Sequence, residues 1–346
     1  MNAFTQPPLA LLLAFTATWG WLWLLHRWAP FLRLLDRPGG RKQHAQPTPM
    51  VGGIAMFLAF WPAMLLFERT MEHLERFFLV TLLVVCIGTW DDAMKLRVRY
   101  RFGAELAMGL FMSAGGGVTV VTLGDLVGMG ELLLGWFAVP FSVICFIGVI
   151  NALNMADGVD GLAAGTTLVS ASLMMLLAWW NQRTSEAWTL GLFLTVIIPF
   201  FCVNARMFRK TAWVFLGDAG SLFLGTTLAW FTMTLSQGEH PAFKPVVALW
   251  LVAVPLIEMF SSFLRRILAG RSPFSPDRHH AHHLLRQLQF SDGAVTAILM
   301  GATLIFALIG ITLERLGVAE VHLFIGLLVL YALYCAITIH FWKHHA

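Results

Sequence analysis

Asp91-Asp92, Asp157, Asp160 and Asp218 all stand where long apolar runs end, in segments that also carry arginine and lysine. Charge at the edge of an apolar run is costly unless it pairs, binds a metal or handles a polar substrate. The Asp91-Asp92 pair follows the run ending CIGTW and precedes Lys95 and Arg97. Adjacent carboxylates at a helix C-terminus oppose the helix dipole and repel each other. Two uses fit them. One carboxylate meets a divalent ion while the other acts as base or orients an acceptor, or the pair is a solvated helix end neutralised by Lys95 and Arg97.

The segment NALNMADGVDG repeats an oxygen-bearing side chain every three residues, at Asn151, Asn154, Asp157 and Asp160. That spacing puts successive groups on one helical face or one side of a helix-to-loop transition. Gly158 and Gly161 let the backbone bend or approach a ligand closely. Such a row of hard oxygen donors suits Mg²⁺ or Mn²⁺, which hold substrate phosphates while keeping waters. In FLGDAGS, Asp218 sits between two glycines before another apolar run. It caps a helix start there, or it is a metal ligand beside a phosphate drawn to the same helix start. The longest polar segment, GRSPFSPDRHHAHHLLRQLQ, holds His279, His280, His282 and His283 beside Arg271 and Arg278. With no cysteine nearby, the histidines read as a diphosphate or nucleotide surface rather than a zinc site, since arginine grips phosphate oxygens bidentately. Carboxylates, amides and basic groups on one membrane face together imply phosphoryl chemistry on a lipid. The P-loop pattern GxxxxGK[ST] is absent, which argues against a P-loop pump or kinase.

The elements that must position these residues are membrane spans. The chain is 58% apolar and 12% charged, with mean hydropathy +0.74, about half the charge of a soluble domain. Its 14 Trp and 28 Phe suit a lipid-facing, interface-anchored protein. Cys86, Cys145, Cys202 and Cys335 lie singly in apolar runs and read as small hydrophobes. No basic stretch precedes the first run, Leu9 to Trp28, so it reads as a permanent span rather than a cleaved signal.

Apolar length predicts eleven spans, at 8–30, 48–67, 76–90, 103–118, 132–151, 165–180, 188–203, 219–235, 245–263, 294–312 and 321–341. Alternate connections hold 17 Lys and Arg against four, the four being Arg69, Arg183, Lys244 and Arg315. The richer set is cytoplasmic by the positive-inside rule, with the N-terminus periplasmic and the C-terminus inside. Every acidic position named above then faces the cytoplasm, in loops near 31–47, 91–102, 152–164, 204–218 and 264–293. The expected architecture is one all-α polytopic membrane domain over 1–346. A secondary transporter would instead place polar groups near mid-membrane and show inverted halves. The polar groups here cluster at one edge.

NALNMADGVDGLAAG, VFLGDAGSLFLG and GRSPFSPDRHHAHHLL resemble three long signatures of the polyprenyl-phosphate N-acetylhexosamine-1-phosphate transferases. DRPGGRKQHAQPTPMVGGIAMF, from Asp36, and the Asp91-Asp92 pair are similar to that family too, and the matches run in family order from near 36 to near 290. SPFSPDR with His280, His282 and His283 most resembles the bacterial branch that moves N-acetylglucosamine-1-phosphate from UDP-GlcNAc to undecaprenyl phosphate.

The resemblance implies that the lipid phosphate attacks the β-phosphorus of the UDP-sugar and UMP leaves. It implies Mg²⁺, with Mn²⁺ as a substitute, on Asp218 and Asn154 with Asp92 or Asp157 nearby. It gives Asp91, or Asp92 with nearly equal claim, the deprotonation or orientation of the lipid phosphate, and puts Asp157 and Asp160 among the catalytic carboxylates. Asn151, Arg101, Arg278, His280, His282 and His283 become substrate-binding, Arg101 toward the lipid phosphate and Arg278, His280, His282 and His283 toward the diphosphate or nucleotide. The implied partners are the two substrates and the bilayer. A homodimer is compatible, nucleic acid is not expected, and UDP-GalNAc, UDP-FucNAc and UDP-QuiNAc are alternative donors.

Overall fold

A computed structural model of the chain describes residues 7–37, 47–66, 71–114, 117–206, 211–272 and 280–345. Its helices are α1 Pro7–Trp28, α2 Gly52–Met64, α3 Leu74–Met94, α4 Val98–Ser113, α5 Ala138–Ala156, α6 Leu162–Trp180 and α7 Thr184–Asn204. They continue with α8 Gly217–Ser236, α9 Pro245–Leu251, α10 Ala253–Leu268, α11 Ala281–Gln287, α12 Asp292–Arg315 and α13 Glu320–His345. Each apolar segment read from the sequence falls on one helix or, for 245–263, on two. Among the described residues seven helices are long and apolar enough to cross a membrane: α1, α3, α5, α6, α7, α12 and α13. An eighth is counted if α9 and α10 form one broken span. The protein is therefore an all-α polytopic membrane protein. α2 is apolar but short, at 13 residues, and α4 has 16.

Two features depart from the sequence reading. Leu35–Asp36 (β1) and Thr48–Pro49 (β2) form a two-residue antiparallel ladder, with Leu35 opposite Pro49. The expected continuous span 245–263 is bent by 81° at Val252. Pro255 has no N–H to give to the Leu251 carbonyl, which removes one helical hydrogen bond at the bend. The hydroxyl of Ser170 donates to that carbonyl at 2.7 Å and satisfies the exposed acceptor.

Helix α8 is the centre of the molecule. It is buried along nearly its whole length and packs chiefly against α3 and α5, with α2 on a further side. Being shielded from lipid, it tolerates a Thr- and Gly-rich sequence of lower hydropathy. Small residues bring its neighbours unusually close: Gly53 of α2 lies against Gly220, and Gly88 of α3 against Ala219. Backbone approach of this kind drives helix association where lipid offers no hydrophobic force. One contiguous apolar core includes Phe60, Phe77, Phe193, Phe223 and Trp230. α1 and α13 are peripheral, with 22% and 17% of their apolar windows buried.

Candidate active site

The site is built around the start of α8. Phe215 forms a parallel bridge to Met50; its N–H donates to the Pro49 carbonyl at 2.7 Å, and its own carbonyl accepts from Gly52 at 3.1 Å. This strap fixes where α8 begins. The first N–H groups of a helix have no partner within it. Here Asp92, at the end of α3, supplies one: its Oδ1 accepts from the Asp218 N–H at 2.9 Å and its Oδ2 from the Ala219 N–H at 3.2 Å. Asp92 is thus the cap of α8, and the carboxylate of Asp218 is turned to other work. Two carboxylates 126 residues apart in sequence meet at one helix start.

Asp91 faces the other way and does not line the cleft described below. Its Oδ1 accepts from the Leu96 N–H at 2.7 Å, and its Oδ2 lies 3.4 Å from Nη1 of Arg101. The same Nη1 is 3.6 Å from Oδ1 of Asp218, and Nε of Arg101 is 3.5 Å from Glu105. Glu105 is almost fully buried and accepts from Nδ2 of Asn151 at 2.6 Å. Asn154 donates through Nδ2 to Asp218 at 2.7 Å and to Ser221 Oγ at 2.8 Å. Asp91, Arg101, Asp218, Asn151 and Asn154 therefore belong to one polar network.

A cleft of about 1140 Å³ opens beside it. Asp92, Asp157, Asp160 and Asp218 line it, with His283 entering from α11. Arg206 and Arg286 add the cationic wall. Arg206 pairs with Asp160 at 2.5 Å and Asp292 at 3.1 Å, while Arg286 pairs with Asp292 at 2.7 Å. His280 and His282 stand behind this wall. His280 Nδ1 lies 3.3 Å from both Glu258 and Ser262 Oγ. His282 is buried against Gly158, where any Cβ would come within 2.7 Å of its ring. Burial, then the neighbouring His283 and His280, hold the His282 imidazole down at about 2, so it is neutral at physiological pH. Arg278 lies outside the described residues.

Asp157 is exposed on the cleft wall, while the protein mass around the cleft cuts its carboxyl off from bulk water. Removal from bulk water, then the charges of Asp218, Asp160 and Asp92, raises it well above the ordinary value of 3.8. Burial raises Asp160 as well, with Arg206 working against it. A carboxylate raised by folding keeps its proton after the unfolded chain has lost it. Its contribution to stability therefore falls as pH rises from 3.8 upward. Asp157→Asn should accordingly raise the thermal unfolding temperature of the metal-free protein at neutral pH, and flatten its decline between pH 5 and pH 8. Unfolding scans in detergent with chelator read this, and an unchanged or lower temperature would contradict the placement of Asp157 among like charges.

Residues 75–236 match the model of glycosyl transferase family 4. An undecaprenyl-phosphate alpha-N-acetylglucosaminyl 1-phosphate transferase of Yersinia pestis is 33% identical over 91% of this chain and 86% of its own length. The protein of the same description from Escherichia coli K12 is 32% identical over 81% and 77%, and that of Haemophilus influenzae 31% over 91% and 89%. The chain belongs to this transferase family.

Several residues of the transferase's cleft, and of the polar network beside it, escaped sequence reading. Glu105 was visible as the only acid in the segment 103–118, four residues after Arg101, where an unneeded charge is costly. Arg286 follows His283 by three and shares its helical face. Asp292 and Arg206 carry no such local signal; only the fold joins the end of α7 to the start of α12. As to a metal, the oxygens of Asp92, Asp157, Asp218 and Asn154 are hard donors of the kind Mg²⁺ prefers. No group of three or more His, Cys, Asp or Glu among the described residues forms a ready-made cage. Mg²⁺ is commonly held by one or two carboxylates completed by substrate phosphates, and this donor set fits that mode.

Proposed function

We propose that the protein transfers N-acetylglucosamine-1-phosphate from UDP-GlcNAc to undecaprenyl phosphate, releasing UMP and leaving undecaprenyl-pyrophosphoryl-GlcNAc, a first membrane step in O-antigen or related surface polysaccharide synthesis. The observation that carries this reading is the carboxylate–guanidinium cleft at the start of α8 in a chain so similar to transferases described by that activity. Mg²⁺ on Asp218 and Asn154, with Asp92 close by, would neutralise diphosphate charge. Asp91 holds Arg101 toward the lipid phosphate. Phosphate monoesters are largely ionised at pH 7, so orientation outweighs proton removal. Asp157 and Asp160 shape the field at the reacting phosphorus. Asn151 serves substrate binding through Glu105 and Arg101, while Arg278, His280, His282 and His283 serve the donor side, His283 directly and His280 and His282 from behind.

The chain acts as a single membrane domain with eleven crossings, a periplasmic N-terminus and a cleft open to the cytoplasm, where UDP-sugars are made. A homodimer is compatible with it. Purified protein given UDP-GlcNAc, undecaprenyl phosphate and Mg²⁺ should release UMP. Donor competition should favour UDP-GlcNAc over UDP-GalNAc, UDP-FucNAc and UDP-QuiNAc; equal or faster turnover of another donor moves the specificity, and no UMP from any donor removes the reading. For orientation, single cysteines at Val98 and Gln287, in a background without the four native cysteines, should react only when the inner face is accessible. Cysteines at His240 and Leu316 should label from outside, and external labelling at Gln287 would break the cytoplasmic site.

A further inference from the structure

Glu258 is an acid in the apolar stretch of α10, and only 9% of its surface is exposed. A buried carboxylate persists only where donors surround it. Its Oε1 accepts from the Ala281 N–H at 3.0 Å and from the hydroxyl of Tyr334 in α13. Its Oε2 lies 3.3 Å from the same N–H and 3.3 Å from Nδ1 of His280. Three elements thus converge on one side chain: the middle of α10, the beginning of α11 and the C-terminal helix.

α11 has seven residues, too few to hold itself in place. Among the described residues, Glu258 and Ser262 tie the start of α11 to α10, and the Arg286–Asp292 pair ties its end to α12. Two consequences of that seating reach the cleft. His283 and Arg286, three residues apart, present one face to it. His282 seats on Gly158, whose neighbour Asp157 also lines the cleft.

We propose that Glu258 is a positioning residue for the nucleotide-sugar side of the cleft, clamped from behind by Tyr334, so that the C-terminal helix takes part in organising donor binding. The inference rests on the transfer reaction proposed above.

The test uses the full-length protein in detergent, with Glu258→Ala, Glu258→Gln and Tyr334→Phe beside the wild type. Glu258→Ala removes every acceptor at once. It should raise KM for UDP-GlcNAc by about tenfold while KM for undecaprenyl phosphate stays within about twofold and kcat within about threefold. Glu258→Gln keeps an acceptor oxygen for the Ala281 N–H and should fall between, with Tyr334→Phe milder in the same direction. Hydrogen exchange of residues 281–287 without substrates should quicken in the same order. A merely structural role would lower active protein and leave both KM values unchanged. That result, or unchanged exchange at 281–287, overturns the proposal. Should Glu258→Ala fail to fold, the glutamine and phenylalanine variants carry the same readouts. A wild type that turns over no UDP-GlcNAc would sink the transfer reading instead, and the exchange measurement would still decide the placement of α11.

Discussion

Asp218→Ala should cut UMP release by about a thousandfold while the protein stays folded and membrane-inserted. The size follows from removing a preorganised charge at a phosphoryl-transfer centre, where one electrostatic group is worth roughly two to three orders of magnitude. Retention of the fold follows from the division of labour at the start of α8. Asp92, not the Asp218 side chain, accepts the N–H groups of Asp218 and Ala219. Alanine at 218 therefore leaves α8 capped, and its cost falls on Asn154 and Arg101, which lose their common partner. Asp92→Ala should behave differently, losing activity and also about 1 kcal/mol of stability with the cap. Turnover measured across a Mg²⁺ titration, beside thermal unfolding of both variants, separates the two. Near-normal turnover of Asp218→Ala at every Mg²⁺ concentration would remove Asp218 from the metal site.

The helical segments were legible in the sequence because lipid imposes a length and a composition on every crossing. The helix bend at Val252 was not, because it depends on a carbonyl freed by Pro255 and taken up by Ser170 from another helix. The acids of the site were legible as costly charges at apolar edges. Their division was not: Asp91 and Asp92 are neighbours in sequence, yet one faces Arg101 and the other caps α8, and only the helix packing distinguishes them. The histidine cluster was legible as chemistry, but which ring reaches the cleft depends on how α11 is seated. Glu105 and Glu258 illustrate a signal that sequence does carry. Each is an acid within an apolar run, and each proves to be a buried hub whose donors come from distant segments.

Gly53→Val should deplete folded protein and abolish activity in what survives. A Cβ at position 53 would lie 2.1 Å from the Gly220 nitrogen, 2.3 Å from its Cα and 2.6 Å from the Ala219 carbonyl carbon. All three are backbone atoms of α8, so no rotamer change relieves the clash, and α2 must move away. That movement breaks the bond from Gly53 N–H to the Leu216 carbonyl at 3.1 Å and shifts the turn that carries Asp218. Overpacking of this kind costs about 1–3 kcal/mol or more, a large share of a total stability of roughly 5–15 kcal/mol. A displacement near 1 Å at a reacting centre costs on the order of a hundredfold in rate besides. The matched control is Gly301→Ala in α12, where a Cβ meets nothing within 4 Å. Yield of monodisperse protein, unfolding temperature and UMP release should all fall for the first variant and none for the second. Wild-type behaviour of Gly53→Val would mean that α2 and α8 do not touch there, and the strap that places Asp218 would have to be redrawn.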